Sequence, residues 1–492
     1  MTMLKRTLLA LTLASSTAQL AACGSDEPSD GPSHQGDGDG DGDASIPTGD
    51  GDAGNQGDGG TTPEGEKGPE LPSCPSDPHI TADATNKVCL ISAPKGNEIK
   101  TNLTLSRVKD YKGYVFQGVV YVGEDVGHDA TPAAGKAQAT LTITPGTDLA
   151  GLDNTSGLAI NRGSKLIAEG LKTAPITFTS VNALLGTGVA APTDWGGVVL
   201  MGRATQNVGV DPVTELDTGS YGGADDHDNS GSLKYVRVMF SGARSSKEKE
   251  FNGITLYAVG DATKIEYVQV HAGSDDGIEF FGGTVNVKHV VISGGGDDNL
   301  DWTDGWRGKA QFVLAKQVPN FGDNGLEADN QKTNNSLIPV SEPTLANLTF
   351  LGQVTAPGES GPNGFLLRAG TKGHIYSAVA TNFKNSCVNV DGDVSQAFVG
   401  TDALTMVSSR ISCSVSYLGK GEQLFTGSAT NQVLPSADVF DNAYMPKADS
   451  GLLTGGTVPA NDPFFENVPY IGAFGTEDWT AGWTAYPDFQ PK

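Results

Sequence analysis

Asp275-Asp276-Gly277-Ile278-Glu279-Phe280 returns 22 residues later as Asp297-Asp298-Asn299-Leu300-Asp301-Trp302. Looser copies flank the pair: Asn252-Gly253-Ile254-Thr255-Leu256 before, Asn324-Gly325-Leu326-Glu327-Ala328 and Asn363-Gly364-Phe365-Leu366-Leu367 after. A second run keeps the same step. Tyr267-Val268-Gln269-Val270, His289-Val290-Val291-Ile292 and Phe312-Val313-Leu314-Ala315 follow one another at 22 and 23 residues. Short β-branched and aromatic runs set between Gly, Asp and Asn read as strands and turns. Two strands per repeat of this length make one coil of a solenoid, which buries its apolar side only by stacking on its neighbours. A propeller blade would need four strands over about 40 residues. The expected fold is therefore all-β, a right-handed parallel β-helix. Alternation along a strand sends Ile278, Phe280, Leu300 and Trp302 inward and Glu279 and Asp301 outward.

The repeat also stacks acids. Asp275, Asp276, Glu279, Asp297, Asp298, Asp301, Asp304, Asp323, Glu327 and Asp329 fall at matching places on successive coils. Coils lie about 4.8 Å apart. Like charges at ~5 Å cost on the order of 3 kcal/mol per pair at an effective dielectric of about 20, before screening. Calcium takes several carboxylate and carbonyl oxygens, so Asp276, Glu279, Asp297, Asp298 and Asp301 are the candidate metal ligands. Lys288, Arg307 and Lys309 offer neutralisation instead. The plainer alternative is turn chemistry, in which Asp and Asn bond their own backbone.

Further segments carry a family resemblance. Leu141-Thr-Ile-Thr-Pro-Gly146, Pro175-Ile-Thr-Phe-Thr-Ser180, Asp194-Trp-Gly-Gly-Val-Val-Leu-Met-Gly202, Asp276-Gly-Ile-Glu-Phe-Phe-Gly-Gly283 and Trp479-Thr-Ala-Gly-Trp-Thr484 look like a family of bacterial secreted β-helix lipoproteins. The resemblance runs roughly from Gly113 to Pro487. It implies a parallel β-helix outside the cytoplasm and hands over no catalytic residues. Some members carry the label "multidrug transporter", which is at odds with a chain lacking any later apolar run of about 18 residues.

The N-terminus reads as an address. Lys5-Arg6, a mostly apolar run to Leu20, and Leu20-Ala21-Ala22-Cys23 form a secretory signal ending in a lipobox-like break. The expected organisation is a signal peptide at 1–22, lipidation at Cys23, a disordered acidic Gly/Asp-rich tether at 23–72, a capping segment at 73–112, and the β-helix with its C-terminal cap at 113–492. Gly24, rather than Asp, follows the cysteine and permits transfer to an outer membrane by resemblance to sorting rules. The tether centres on Gly36-Asp37-Gly38-Asp39-Gly40-Asp41-Gly42-Asp43. It lacks the apolar surface to offset its ordering entropy. Asp37-x-Asp39-x-Asp41-Gly42 resembles the start of an EF-hand loop, but the twelfth position is Thr48 rather than Glu.

The net charge of −26 argues against nucleic acid and anionic surfaces as partners. With Cys23 lipidated, the other four cysteines form two local pairs, Cys74–Cys89 and Cys387–Cys413. The second spacing matches one coil. The expected role is non-catalytic: an outer-membrane lipoprotein, held to the lipid membrane by its acylated N-terminus, contacting glycan, matrix or a surface protein. The alternative is a polysaccharide hydrolase or lyase, with carboxylates a coil apart as acid and base and Trp302 or Trp306 stacking on a sugar. Asp297-Asp298 alone resembles the paired acids of polygalacturonases. Their Gly-His-Gly and Arg-Ile-Lys motifs are missing, as is the Arg-x-Pro-x-x-Arg pattern of pectate lyases. No catalytic residue is assigned.

Overall fold

The acidic repeats form successive strands of one parallel sheet. The computed structural model describes residues 73–246, 249–356, 361–441 and 444–486. The signal segment 1–22, Cys23 and the tether 23–72 lie outside the described residues. Ile254–Tyr257, Ile278–Phe281, Leu300–Thr303 and Leu326–Ala328 run side by side in a ten-stranded first sheet. Ile278 is in register with Leu300, Glu279 with Asp301 and Phe280 with Trp302. Ile278, Phe280, Leu300 and Trp302 join one continuous buried core. The fold is a parallel β-helix.

The return path of each coil is bent. Lys264–His271, Asn286–Ser293, Lys309–Lys316 and Thr344–Leu351 are single strands. Their pairing skips one residue in the middle: Glu266 meets Lys288 and Val268 meets Val290, passing over Tyr267 and His289. The skipped residues are left-handed, with φ of 48° at Tyr235, 54° at Tyr267, 57° at His289 and 59° at Phe312. Elsewhere the two halves are separate strands. Lys165–Glu169 and Ile176–Ser180 each pair with one half of Gly231–Met239. The coil thus has three sides, and the bend is the corner between the second and third. A bulky residue held left-handed costs on the order of 1–3 kcal/mol. Ring stacking offsets it here: Tyr235–Tyr267 at 4.6 Å, Tyr267–His289 at 4.3 Å and His289–Phe312 at 4.8 Å.

The parallel ladder reaches into the segment read as a cap. Val88–Ile91 pairs in parallel with Gly113–Phe116, and Leu103–Leu105 with Thr140–Ile143. Ile80–Asp83 is antiparallel, laid on Val88–Ile91, where it covers a sheet edge. At the other end the chain doubles back along the outside. Ser377 Oγ donates to the Thr457 carbonyl at 2.7 Å, and Arg237 Nε donates to the Trp483 carbonyl at 2.5 Å.

Both disulfides form, with Cα separations of 5.7 Å for Cys74–Cys89 and 5.6 Å for Cys387–Cys413. The reason for the second differs from the expected one. Val388 is in register with Tyr417, so Cys387 does not stack on Cys413. Cys413 instead follows the third-sheet strand Arg410–Ser412, and the bond ties one coil's first-sheet strand to the turn entering the next.

Candidate metal centre

Two rows of acids converge on the first sheet. The first row precedes the strands. Asp276 Oδ1 accepts from the Asp298 backbone N–H at 2.9 Å, and Asp298 Oδ1 from that of Asn324 at 2.6 Å. Asn324 Oδ1 then accepts from the backbone N–H of Asn363 at 2.9 Å. This is turn chemistry carried from coil to coil. An amide does the same work at Asn324, so the negative charge at Asp276 and Asp298 is surplus to the ladder.

The second row lies on the strands, where Glu279, Asp301 and Glu327 are in register. Glu279 Oε2 accepts from Asn252 Nδ2 at 2.6 Å. Glu327 is paired with Arg368 and lies 3.5 Å from Lys332 Nζ. Asp301, between them, is 6% exposed, and its Oδ1 has no hydrogen-bond partner. A buried acceptor left so costs about 1–3 kcal/mol, more when charged.

The rows interlock. Asp276, Glu279 and Asp301 offer oxygens within 4.8 Å of one another, as do Asp298, Asp301 and Glu327. Asp275, Asp276 and Asp297 form a third such group, and Asp297, Asp298 and Asp323 a fourth. Two oxygens bound to one calcium at about 2.4 Å stand at most ~4.8 Å apart. Each of the five candidate ligands Asp276, Glu279, Asp297, Asp298 and Asp301 thus falls in at least one of these groups, no one group holds all five, and the donor set is all oxygen. An oxygen-seeking divalent cation fits it. Burial, and then the neighbouring carboxylates, push Asp276, Glu279, Asp298 and Asp301 well above the ordinary carboxylate range.

Three expectations need correction. Glu279 and Asp301 face away from the core, yet they are not solvated. The segment between Asn207 and Tyr221 lies over this face. Tyr221 Oη donates to Asp304 Oδ2 at 2.9 Å, the Tyr221 and Tyr257 rings sit 4.8 Å apart, and the Glu215 backbone N–H donates to Tyr257 Oη at 3.3 Å. Next, Lys288, Arg307 and Lys309 do not neutralise the ladder. They pair with Glu466, Asp226 and Asp462. Arg368 and Lys332 take that role. Arg368 follows Leu367 on the strand that pairs with Leu326–Ala328, which is the signal that could have found it. Finally, neither tryptophan is open to a sugar. Trp302 Nε1 donates to Thr371 Oγ1 at 3.0 Å, and Trp306 stacks on Phe280 at 4.0 Å, both in the core.

Residues 130–484 match the family described as the pectate-lyase like beta helix domain. The chain belongs to this family. The match covers more than half of the 492 residues and agrees with the strand pairing above. No curated protein and no solved structure matches the chain. Membership in the pectate-lyase-like family fits a surface or glycan-related role. Among the described residues no helix is long and apolar enough to cross a membrane.

Proposed function

We propose that this pectate-lyase-like chain is an outer-membrane lipoprotein, anchored through Cys23, whose β-helix contacts glycan or matrix without cleaving it. Calcium at the Asp276, Glu279, Asp298 and Asp301 cluster serves in this reading to hold the coils together. One observation carries the proposal: the depth of the carboxylates. Glu279, Asp301 and Glu327 are 9%, 6% and 5% exposed. An acid–base pair that works on a polymer must touch the scissile bond, and these acids lie beneath the segment ending at Tyr221. The unpartnered Asp301 oxygen and the surplus charge at Asp276 and Asp298 supply the need for a cation.

The test is to incubate the full chain with a panel of polysaccharides and follow both retention and new chain ends. Retention without new ends is expected. Release of reducing ends or unsaturated products would replace this reading with a hydrolase or lyase. Fractionation of cells expressing Cys23→Ala tests the anchor, and the variant is expected to leave the membrane.

A further inference from the structure

A cleft of about 540 Å³ separates the aromatic corner from the C-terminal segment, away from the acidic rows. Tyr267, His289, Tyr470, Trp479, Glu466 and Glu477 are among its lining residues. The volume lies in the usual range of small-ligand sites.

The rings present their rims. Tyr267 is sandwiched between Tyr235 and His289, and His289 between Tyr267 and Phe312. A cation seeks ring faces, and those of Tyr267 and His289 are taken. Rims are the positive part of the aromatic quadrupole and suit oxygen atoms. His289 is 9% exposed, and its Nδ1 is shut from solvent without a hydrogen-bond partner. Burial and the Lys288 charge hold this ring neutral, with its pKa pulled down to about 3. It therefore keeps one donor and one acceptor. Burial, followed by nearby charges that include Glu466 and Glu477, raises the Tyr267 and Tyr470 hydroxyls to about 12, so they stay protonated and can donate. Glu466 and Glu477 accept.

We propose that this cleft is a subsite for a neutral hexose oligosaccharide. Sugar hydroxyls can donate to the two carboxylates and accept from the tyrosines. The same carboxylates repel a polyuronate. The proposal rests on the glycan-contact reading above but not on its cation.

Trp195, Trp302, Trp306 and Trp483 are fully buried, whereas Trp479 lines the cleft, so tryptophan emission reports on it. The full chain is titrated with β-1,4-, β-1,3- and α-1,4-linked glucohexaoses, with trigalacturonate and with tetramethylammonium. A saturable change is expected with a neutral hexaose, equal in calcium and in EDTA. Glu477→Gln, at an exposed position, should weaken it about tenfold, and Tyr470→Ala should weaken it as well. Binding of trigalacturonate or tetramethylammonium in place of the hexaoses overturns the proposal. So does no binding by any hexaose, or binding that disappears in EDTA. Melting with and without calcium reads the cation site separately, so the two failures are distinguishable.

Discussion

Two ladders climb the outside of this β-helix, and stacking has opposite consequences for them. At the corner, Tyr235, Tyr267, His289 and Phe312 repeat along the coils and attract one another. On the first sheet, Glu279, Asp301 and Glu327 repeat in the same way and repel. A solenoid places like over like whether or not the pair is favourable. The ring ladder is complete in itself and supports a strained backbone. The acid ladder stacks like charges, and Arg368 and Lys332 pair with Glu327 at one end and act through space on Asp301, while Glu279 at the other end is met by the neutral Asn252.

Each ladder can be disrupted on its own. Phe312→Ala removes a ring that is 2% exposed and ends the stack. A loss of about 3–5 kcal/mol is expected in urea unfolding. A loss below 1 kcal/mol would mean that the rings do not hold the corner. On the acid side, calcium at a hundred times its Kd should stabilise the chain by about 3 kcal/mol over EDTA, read as a higher Tm. Asp298→Asn with Asp301→Asn should remove the difference. Equal wild-type melting in calcium and in EDTA would leave the acids as turn chemistry alone.

Acid pH sharpens the contrast. Folded His289 holds its proton only below about 3, against an ordinary 6.5. Between those values the unfolded chain binds the extra proton, so the corner loses stability as pH falls, by on the order of 2 kcal/mol at pH 5. The raised carboxylates have the opposite sign. Without calcium they are protonated in the folded chain where unfolded ones are not, so the acid ladder weakens as pH rises above the ordinary carboxylate range. Hydrogen exchange in EDTA, corrected for intrinsic rates, should show Asn286–Ser293 less protected at pH 5 than at pH 7 and Ile278–Phe281 more protected. Parallel changes in both strands would contradict the assignment. The smallest effect is expected from Tyr235→Leu, which keeps apolar bulk but loses the 4.6 Å stack on Tyr267. A cost of about 0.5–1.5 kcal/mol beyond any change in buried area is expected, measured by the same urea titration.

The solenoid, its inward residues and its acid rows can be read directly from the chain. Each follows from a 22-residue step that recurs, and parallel pairing converts that step directly into register. The cysteine partners were legible from their local spacing, although the coil geometry that joins Cys387 to Cys413 was not. The burial of the acids, the cations they meet and the place where a cleft opens emerge only once the chain has folded. Those outcomes depend on segments that do not repeat. Tyr221 reaches Asp304 and Lys332 reaches Glu327, and the C-terminal chain returns across coils laid down more than two hundred residues earlier, as at Arg237 and Trp483. A repeat reports on its neighbours because each coil rests on the next. A docked segment reports on nothing nearby in sequence, because what holds it is the shape and charge of a surface that exists only once the coils have stacked.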